Sequence, residues 1–428
     1  MEFYFKNNFL MGVASAATQI EGGDTDNNWL ELWKEGGIKD GASPAVADDH
    51  WNRWEEDTRL MADMGIQISR FGIEWGRIVP EEGKVDRTAI EHYRSEIQLM
   101  LSLGIRPLLT IHHFSNPMWF EKKGGWLKRE NNKYFLELVK IVVENFGDLV
   151  NEYITINEPN VYATNCYCFG QWYPRHNSLA ETFTVMENFA YCHIKAYEMI
   201  HSMRKAKGYS DTKVGFANHL RPFDPKDPKN PAHVAEAKAA EWFFQRALTE
   251  AMTLGKFSIP LINHWGIKRG EYTDFNGINY YSRSTISGFA DSVKENTPKN
   301  DLGWEIYPEG LIRCGAYLTG LLRRPLYITE NGTCDNNDMF REKYLYDHLK
   351  AVSESPLPVE RYYHWCFCDN WEWAEGQSAR FGIVHVDYDT QKRTVKRSGQ
   401  FFTEMIKNHG VTQKMYDEYV RDEVYKVR

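Results

Sequence analysis

Two short stretches of the chain nearly repeat each other and end on the same acid. EYITINEPN at 152–160 and LYITENGT at 326–333 share the run Tyr-Ile-Thr, closed by Glu158 in one and Glu330 in the other. Such a run of β-branched and aromatic residues, followed by Asn, Pro or Gly, is typical of a buried strand that meets a loop. Two glutamates that lie close together can act as an acid and a nucleophile, whereas two unrelated glutamates at separate strand ends are solvated and inert. Which of these applies depends on whether the fold brings Glu158 and Glu330 together.

Strand-like and helix-like runs alternate along the 428 residues. The strands are predicted at 9–17, 66–75, 106–114, 152–159, 213–220, 273–281, 325–332 and 359–370. The helices are predicted at 50–65, 88–104, 133–147, 178–206, 235–255, 309–322, 341–354 and 398–410. Eight strand–helix units predict a closed (β/α)8 TIM barrel. No Pro- or Ser-rich linker interrupts the series, which indicates a single domain over residues 1–428.

The first predicted strand, FLMGVASAATQI, superficially resembles a signal peptide with a small-residue cleavage site. The segment before it, MEFYFKNN, carries an acid and mixed polar residues and not a basic leader. We therefore interpret this stretch as the first strand of the barrel.

In a barrel of this kind the active site lies at the C-terminal ends of the strands. Glu158 and Glu330 then end the fourth and seventh strands and face each other across the mouth. Other strand ends bring amides, one arginine, histidines and indoles to the same place. These residues are Gln19, Glu21, Arg70, Glu74, His112, His113, Asn157, Asn279, Tyr281, Trp365, Asn370, Trp371, Glu372 and Trp373.

Such a set fits polar recognition of a carbohydrate, whose hydroxyls need donors and acceptors and whose ring face needs an aromatic platform. Taken singly, Arg70, His113 or Trp365 are equally well explained as interior structural groups. Two carboxylates that flank a glycosidic bond can act as acid and nucleophile. If they lie about 5–5.5 Å apart, one of them attacks the sugar directly and the configuration of the sugar is retained, whereas a wider gap admits a water molecule and the configuration is inverted.

The surroundings suggest a division of roles between the two glutamates. Glu158 has little positive charge nearby in sequence, which would raise its pKa toward an acid role. Arg70 and the hydroxyl of Tyr281 could approach Glu330 and favour the ionised form that a nucleophile requires.

The composition of the chain restricts the classes of molecule that it is expected to bind. A net charge of −8 argues against nucleic acid and against an anionic membrane surface. No apolar run approaches the roughly 20 residues that span a bilayer. The sequence has no Gly-rich phosphate loop and no helical His-x-x-x-His or Cys-x-x-Cys spacing, so we expect no cofactor and no metal. The expected partner is a small neutral molecule.

The seven cysteines are an odd number without the spacing of a disulfide framework. Cys166 and Cys168, like Cys366 and Cys368, fall in or beside runs that we interpret as strands. Reduced structural thiols and a cytoplasmic location are the expectation.

At these residues the sequence resembles glycoside hydrolase family 1, the β-glucosidase and β-galactosidase group, over essentially the whole chain. The matching stretches, in order, are SAATQIEG (15–22), DHWNRWEEDTRLMADMG (49–65), SRFGIEWGRIVPEEG (69–83), TIHHFSNPMWF (110–120), TINEPN (155–160), DFNGINYYS (274–282), YITENG (327–332) and DNWEWAEGQSARFGIVHVD (369–387).

The resemblance implies a retaining, metal-free exo-β-glycosidase with a covalent glycosyl-enzyme. Glu158 would be the acid/base and Glu330 the nucleophile. The sugar pocket would comprise Gln19, His113, Asn157, Tyr281, Trp365, Glu372, Trp373 and Phe381. Arg70 and Asn279, with Tyr281, would support the two carboxylates. The expected substrate is a neutral β-glycoside or oligosaccharide with terminal glucose, or else galactose or fucose.

The sequence also departs from the family pattern. His112-His113-Phe114 replaces the more usual Tyr-His-Trp, and His219 stands where an asparagine is common, beside the leaving group. Glu375 lies near the place of the serine that binds phosphate in the 6-phospho-β-glycosidase branch, and a carboxylate there would repel a phosphate dianion. A 6-phospho-β-glycosidase, a transglycosidase and a catalytically silent sugar-binding protein are the alternatives.

Overall fold

The computed structural model describes residues 1–23 and 25–427. Eight parallel strands close into one barrel in which neighbours in sequence are neighbours in space, and the eighth strand pairs with the first. The strands are β1 Leu10–Ala14, β2 Ile68–Gly72, β3 Arg106–His112, β4 Glu152–Asn157, β5 Lys213–His219, β6 Asn276–Tyr280, β7 Leu326–Asn331 and β8 Val359–Trp365. The predicted (β/α)8 barrel is confirmed.

A helix follows each strand along the chain. These helices are α1 His50–Asp63, α2 Arg87–Ser102, α3 Asn132–Phe146, α4 Leu179–Ala206, α5 Pro231–Glu241, α6 Pro308–Leu321, α7 Arg341–Glu354 and α8 Arg397–Asn408. Helix α5 continues through the wider turn Trp242–Arg246 into Ala247–Leu254. Every residue of β4 and β7 is buried, which explains why both strands appear in the sequence as nearly continuous apolar runs.

Local sequence sets the helix ends. The Asp86 carboxylate caps α2 by accepting from the backbone N–H groups of Thr88 and Ala89. Gly65 and Gly104 follow α1 and α2 with φ of +72° and +80°, a left-handed conformation that glycine adopts without a steric penalty. These glycines stop both helices where the sequence predicts.

Shorter elements fill the loops. Helical segments are Ala17–Ile20, Asn28–Lys34, Trp75–Ile78, Met118–Lys122, Pro159–Ala163 and Gln413–Met415. Small sheets pair Phe3–Tyr4 with Gly410–Val411, Val384–Asp387 with Lys392–Val395, and Pro298–Lys299 with Lys426–Val427. A further small sheet joins Phe223–Pro225, Ser284–Ser287 and Ala290–Ser292 beside the end of β5.

Some predicted boundaries differ from the structure. Strand β8 ends at Trp365 and not at residue 370, because the backbone beyond it pairs with the loop around Phe381–Val384. Helix α5 starts earlier than predicted, since the Asn230 side chain caps it just before Pro231. Cys166 and Cys168, which the sequence analysis put in or beside a strand, lie in the helical turn Thr164–Cys168 that follows β4 and the short helix Pro159–Ala163.

A cluster of charged side chains lies at the opposite end of the barrel, which we call the floor. Glu152, at the start of β4, is buried, and its Oε1 lies 3.5 Å from Arg106, 3.7 Å from Arg361 and 3.9 Å from Lys213. The hydroxyl of Tyr327 donates to the same oxygen at 3.3 Å. This floor of four partners around one carboxylate is remote from the mouth. Among residues 1–23 and 25–427, no helix is long and apolar enough to cross a bilayer.

Candidate active site

Glu158 sits on a bend that turns its side chain into the barrel mouth. Along a regular strand Asn157 and Glu158 would point to opposite faces. Glu158 instead has φ +41°, in the left-handed region that is sparsely populated by residues other than glycine, and Pro159 follows as the first residue of a short helix. A register shift between Ile154 and Asn157 marks the same place in the β4–β5 ladder. The irregular backbone lets both neighbours serve one site.

The second glutamate lies at a similar irregularity. The pairing of β7 with β6 shifts in register between Ile328 and Glu330. Thr329 then donates through its hydroxyl to the Asn279 side chain at 2.7 Å, and its backbone oxygen accepts from Arg70 at 3.0 Å. Consecutive residues of β7 are thus both anchored inside the barrel.

Two donors hold the carboxylate of Glu330. Arg70 Nη1 donates to Oε1 at 2.5 Å, and the Tyr281 hydroxyl donates to Oε2 at 2.6 Å. The Arg70 side chain is completely buried, so this charge-assisted bond is shielded from solvent. Each oxygen of Glu330 therefore has its own donor.

The same arginine connects the two glutamates. Arg70 Nη2 donates to Asn157 Oδ1 at 2.6 Å, and its Nε donates to Thr110 at 3.1 Å. Asn279 Nδ2 donates to Asn157 Oδ1 at 2.9 Å and to Glu158 Oε1 at 3.0 Å. A continuous hydrogen-bonded network drawn from five strands therefore fixes Glu158 and Glu330 relative to each other.

Both carboxylates open into one cavity of about 650 Å³ at the barrel mouth. Eight of the twelve predicted site residues line it: His113, Glu158, Tyr281, Glu330, Trp365, Glu372, Trp373 and Phe381. The other four, Gln19, Arg70, Asn157 and Asn279, lie directly behind this wall and bond to residues that form it. The structure thus brings together the twelve residues that the family resemblance implies for catalysis, sugar binding and support of the carboxylates.

Comparison with known proteins assigns the chain to a family. The profile described as Glycosyl hydrolase family 1 matches residues 1–411. The chain belongs to this family. It is 33% identical to the protein named Beta-glucosidase A of Thermotoga maritima, with 95% of this chain and 98% of the relative covered.

Solved structures of the family have the same fold. The β-glucosidase from Thermotoga maritima in complex with glucoimidazole superposes with a TM-score of 0.89 at 32% identity, covering 96% of this chain and 100% of the other. The β-glycosidase from Pyrococcus horikoshii superposes with a TM-score of 0.87 at 32% identity, covering 98% of each chain. The protein is a glycoside hydrolase.

Opposing effects set the pKa of Glu330 in this site. Burial is the largest effect and raises its pKa to about 7, although Arg70 and Tyr281 both lower it; the nearby carboxylate of Glu158 raises it further. The predicted contacts are therefore present, but they only partly offset the loss of solvent. Arg70 and Tyr281 favour the ionised form, as expected from the sequence, whereas burial and the charge of Glu158 decide the net direction of the pKa.

A third carboxylate shares the cavity. Burial raises the pKa of Glu372 to about 8, the charges of Glu330 and Glu158 add to this, and hydrogen bonds from Gln19 and Trp365 lower it. Gln19 Nε2 donates to Glu372 Oε2 at 3.1 Å and to the Trp371 backbone oxygen at 3.0 Å. Its own Oε1 is buried without a partner in the described chain.

His113 also has one satisfied and one unsatisfied polar atom. The Asn157 amide contacts its Nε2 at 2.8 Å, whereas Nδ1 is buried without a partner in residues 1–23 and 25–427. The His113 ring lies 5.9 Å from that of Trp365 and 5.5 Å from that of Trp373. An unpaired buried donor and acceptor beside indole faces provide what a hydroxylated ring needs.

Several polar residues predicted at strand ends lie outside the cavity. His112 packs among the aromatic side chains behind β3 and bonds to Asn116 at 2.8 Å. Glu74 accepts from Thr18 at 2.6 Å and from Ser115 at 2.7 Å. Glu21 pairs with Arg77 at 2.9 Å. These groups are structural.

Most of the outer half of the cavity was not predicted from the sequence. His219, which ends β5, and Glu375 were singled out there, and Glu375 pairs with Lys39. The remaining lining residues, Phe169, Trp172, Phe244, Trp304 and Arg221, come from loops and from the continuation of α5, where strand-end reasoning does not reach. The partly exposed ring of Trp304, 6.0 Å from that of Phe381, continues the aromatic wall outward. Within the described residues, no cluster of His, Cys, Asp and Glu is arranged to hold a metal.

Proposed function

We propose that this protein is a retaining exo-β-glycosidase, and specifically a β-glucosidase, with Glu158 as acid/base and Glu330 as nucleophile. The observation that carries the proposal is the environment of Glu330: Arg70 and Tyr281 each donate to one of its oxygens, and it shares a cavity with Glu158. A carboxylate held in this way cannot rotate, so its attack on a bound sugar is pre-oriented.

The reaction follows from these roles. Glu330 bonds to the anomeric carbon while the glycosidic C–O bond breaks and Glu158 gives its proton to the leaving oxygen. Glu158, now ionised, takes a proton from water, and the oxygen of that water bonds to the same carbon as the ester bond to Glu330 breaks. The carboxylate of Glu330 returns to its two donors. Two inversions leave the configuration unchanged.

The sugar side of the cavity supports a neutral terminal hexose. The unpaired Oε1 of Gln19 can accept, and the unpaired Nδ1 of His113 can form, a hydrogen bond with a sugar hydroxyl, and Gln19 Nε2 bonds to the carboxyl group of Glu372. The indoles of Trp365 and Trp373 and the ring of Phe381 provide apolar surface. Glucose and galactose differ only in the orientation of O4, and the proposal assigns recognition of O4 to Gln19 and Glu372, which bond to each other.

The 6-phospho-β-glycosidase alternative has less support. Glu375 lies in the cavity wall and pairs with Lys39, so its charge is partly compensated and repels a phosphate less than the sequence suggests. No second basic side chain joins Lys39 at that ion pair within the described residues. Glu375 therefore still disfavours a dianion, and the neutral glycoside remains the proposed substrate.

We also infer that the chain works as one domain over residues 1–428 in the cytoplasm. All seven cysteines are free thiols, as suits a reducing compartment.

The test is a panel of p-nitrophenyl β-glycosides, with glucoside, galactoside, fucoside, mannoside, xyloside and glucoside 6-phosphate, and with Glu330→Gln as the blank. Release from the neutral glucoside by the wild type alone, with the β-anomer formed first in an NMR time course, supports the proposal. Release only from the 6-phosphate would establish the alternative, and no release would favour a sugar-binding protein. An excess of transfer product over free sugar in the presence of alcohols would indicate a transglycosidase.

A further inference from the structure

His219 ends strand β5 and contacts the proposed acid/base directly. Its Nδ1 lies 3.2 Å from Glu158 Oε1, the same oxygen that accepts from Asn279 Nδ2 at 3.0 Å. Because an amide N–H already donates to Oε1, the ring nitrogen facing that oxygen is placed as a second donor. With two donors on Oε1, the remaining oxygen, Oε2, is the one left to carry the proton.

The imidazole is held in this orientation from several sides. Its ring runs nearly parallel to that of Tyr281, with 16° between the planes and 6.0 Å between centroids, and perpendicular to Phe244 at 6.0 Å. The backbone oxygen of His219 accepts from Asn160 Nδ2 at 2.8 Å, which ties it to the turn that carries Glu158. His219 is therefore fixed relative to the carboxylate.

We propose that His219 is a positioning residue for Glu158 and that its second nitrogen, Nε2, accepts a hydrogen bond from a hydroxyl group of the leaving group. This inference rests on the proposed function and assigns the class of leaving group at the same site. With hydrogen on Nδ1, the neutral ring carries a lone pair on Nε2. His219 lines the cavity, and no protein group in residues 1–23 and 25–427 bonds to Nε2.

The leaving group that satisfies Nε2 has a hydroxyl near the oxygen being protonated. A second sugar provides such a hydroxyl, whereas a nitrophenol has none at its ring positions. The titratable groups around the ring are Glu158 and Tyr281, with Arg221 lining the same wall. The site thus favours disaccharides over simple aryl glucosides in the bond-breaking step.

Two variants distinguish the role of Nδ1 from that of Nε2 in His219. His219→Phe keeps a ring between Tyr281 and Phe244 but removes both ring nitrogens. His219→Asn places an amide donor near the position of Nδ1 and has nothing at the position of Nε2. His201→Asn is the matched control, since His201 Nε2 pairs with Asp274 at 2.8 Å at the start of β6, away from the cavity.

The readout is kcat/KM, which reports the first step, for three β-glucosides with leaving groups of different acidity. We expect His219→Phe to lower it about 10- to 100-fold for cellobiose, less for p-nitrophenyl glucoside, and not at all for 2,4-dinitrophenyl glucoside, whose phenolate leaves without a proton. His219→Asn should restore the p-nitrophenyl rate, but not the cellobiose rate.

An equal loss on all three substrates, or no loss on cellobiose, would overturn the inference. Failure of the wild type to cleave any of the three would instead overturn the proposed function, so the two failures are distinguishable. Thermal unfolding of each variant identifies a folding defect, and a folded His219→Asn protein keeps the comparison decisive.

Discussion

The hydroxyl of Tyr281 donates to Oε2 of Glu330 at 2.6 Å, at the end of a barrel strand that neighbours β7. This bond and the ion pair with Arg70 are the interactions that lower the pKa of Glu330, against burial and the charge of Glu158. The ionisation of the proposed nucleophile is therefore a balance among identifiable neighbours, and changing one neighbour should move it in a known direction.

Removing the hydroxyl with Tyr281→Phe should shift the pH dependence of the reaction. The pKa of Glu330 is about 7, so kcat/KM should fall as pH drops below that value and Glu330 takes up a proton. The variant loses a donor to the ionised form, and its acidic limb should move up by about one pH unit. At pH 7 the ionised fraction of Glu330 falls from about one half to about one eleventh, so we expect kcat/KM to be about fivefold lower.

A pH–rate profile of the wild type and the variant measures this shift. Tyr197→Phe is the control, because Tyr197 donates to Asp274 at 3.1 Å outside the cavity. A superimposable acidic limb in Tyr281→Phe would show that this hydroxyl does not control the ionisation of Glu330.

The roles of the two glutamates can be told apart by azide. In Glu330→Gly the anion occupies the vacated space and attacks from the nucleophile's face, which yields the α-glycosyl azide from a dinitrophenyl β-glucoside. In Glu158→Ala the glycosyl-enzyme still forms, and azide attacks it from the opposite face to give the β-anomer. NMR of the products distinguishes the two, and the same anomer from both variants would refute the assignment.

Glu372 should limit the stability of the free enzyme at high pH. Its pKa rises from 4.5 to about 8 on folding, so the folded state binds the proton more tightly than the unfolded state. That stabilisation is complete below pH 4.5 and is lost as pH rises through about 8. Its loss costs on the order of 5 kcal/mol.

The side chain of the variant Glu372→Gln cannot ionise, so the variant does not lose stability in this way as the pH rises. Its melting temperature should exceed that of the wild type at pH 8 by more than it does at pH 5, while glucoside hydrolysis falls. Calorimetric melts at both pH values provide the comparison. A difference in melting temperature that does not grow with pH would mean that Glu372 ionises freely.

The charged floor of the barrel should affect stability and not chemistry. Glu152→Ala leaves Arg361 with only 7% of its side chain exposed and without its carboxylate, and we expect a loss of about 3 kcal/mol in unfolding free energy. The kcat at 25 °C should change less than about twofold, because Glu152 lies at the end of β4 opposite Glu158. Denaturant unfolding and rate assays measure both.

A surface carboxylate serves as the control for the floor variant. Glu56 pairs with Arg53 while 51% of its side chain is exposed, so Glu56→Ala should cost less than about 1 kcal/mol. Equal losses of unfolding free energy in the two variants would show that the buried cluster contributes no more to stability than a surface ion pair does.

The sequence by itself determined the barrel and identified the inner wall of the cavity, although it also placed Glu21, Glu74 and His112 at the mouth. Alternating apolar runs and amphipathic runs, punctuated by Gly65 and Gly104, specify strands and helices locally, and eight repeats leave few ways to arrange them. The acids that close β4 and β7 follow from the same pattern, because strand ends of a parallel barrel share one face.

Only the tertiary structure decided how the mouth works. Arg70 and Glu330 are 260 positions apart in sequence, and barrel closure makes them an ion pair. The pKa of Glu330 depends on how completely the surrounding strands exclude water, which is a property of the whole fold and not of the segment YITENG. His219 and Glu158, separated by 61 positions, meet because β4 and β5 are adjacent and Glu158 adopts a left-handed conformation. Local sequence sets the elements, whereas burial and long-range contacts set the chemistry.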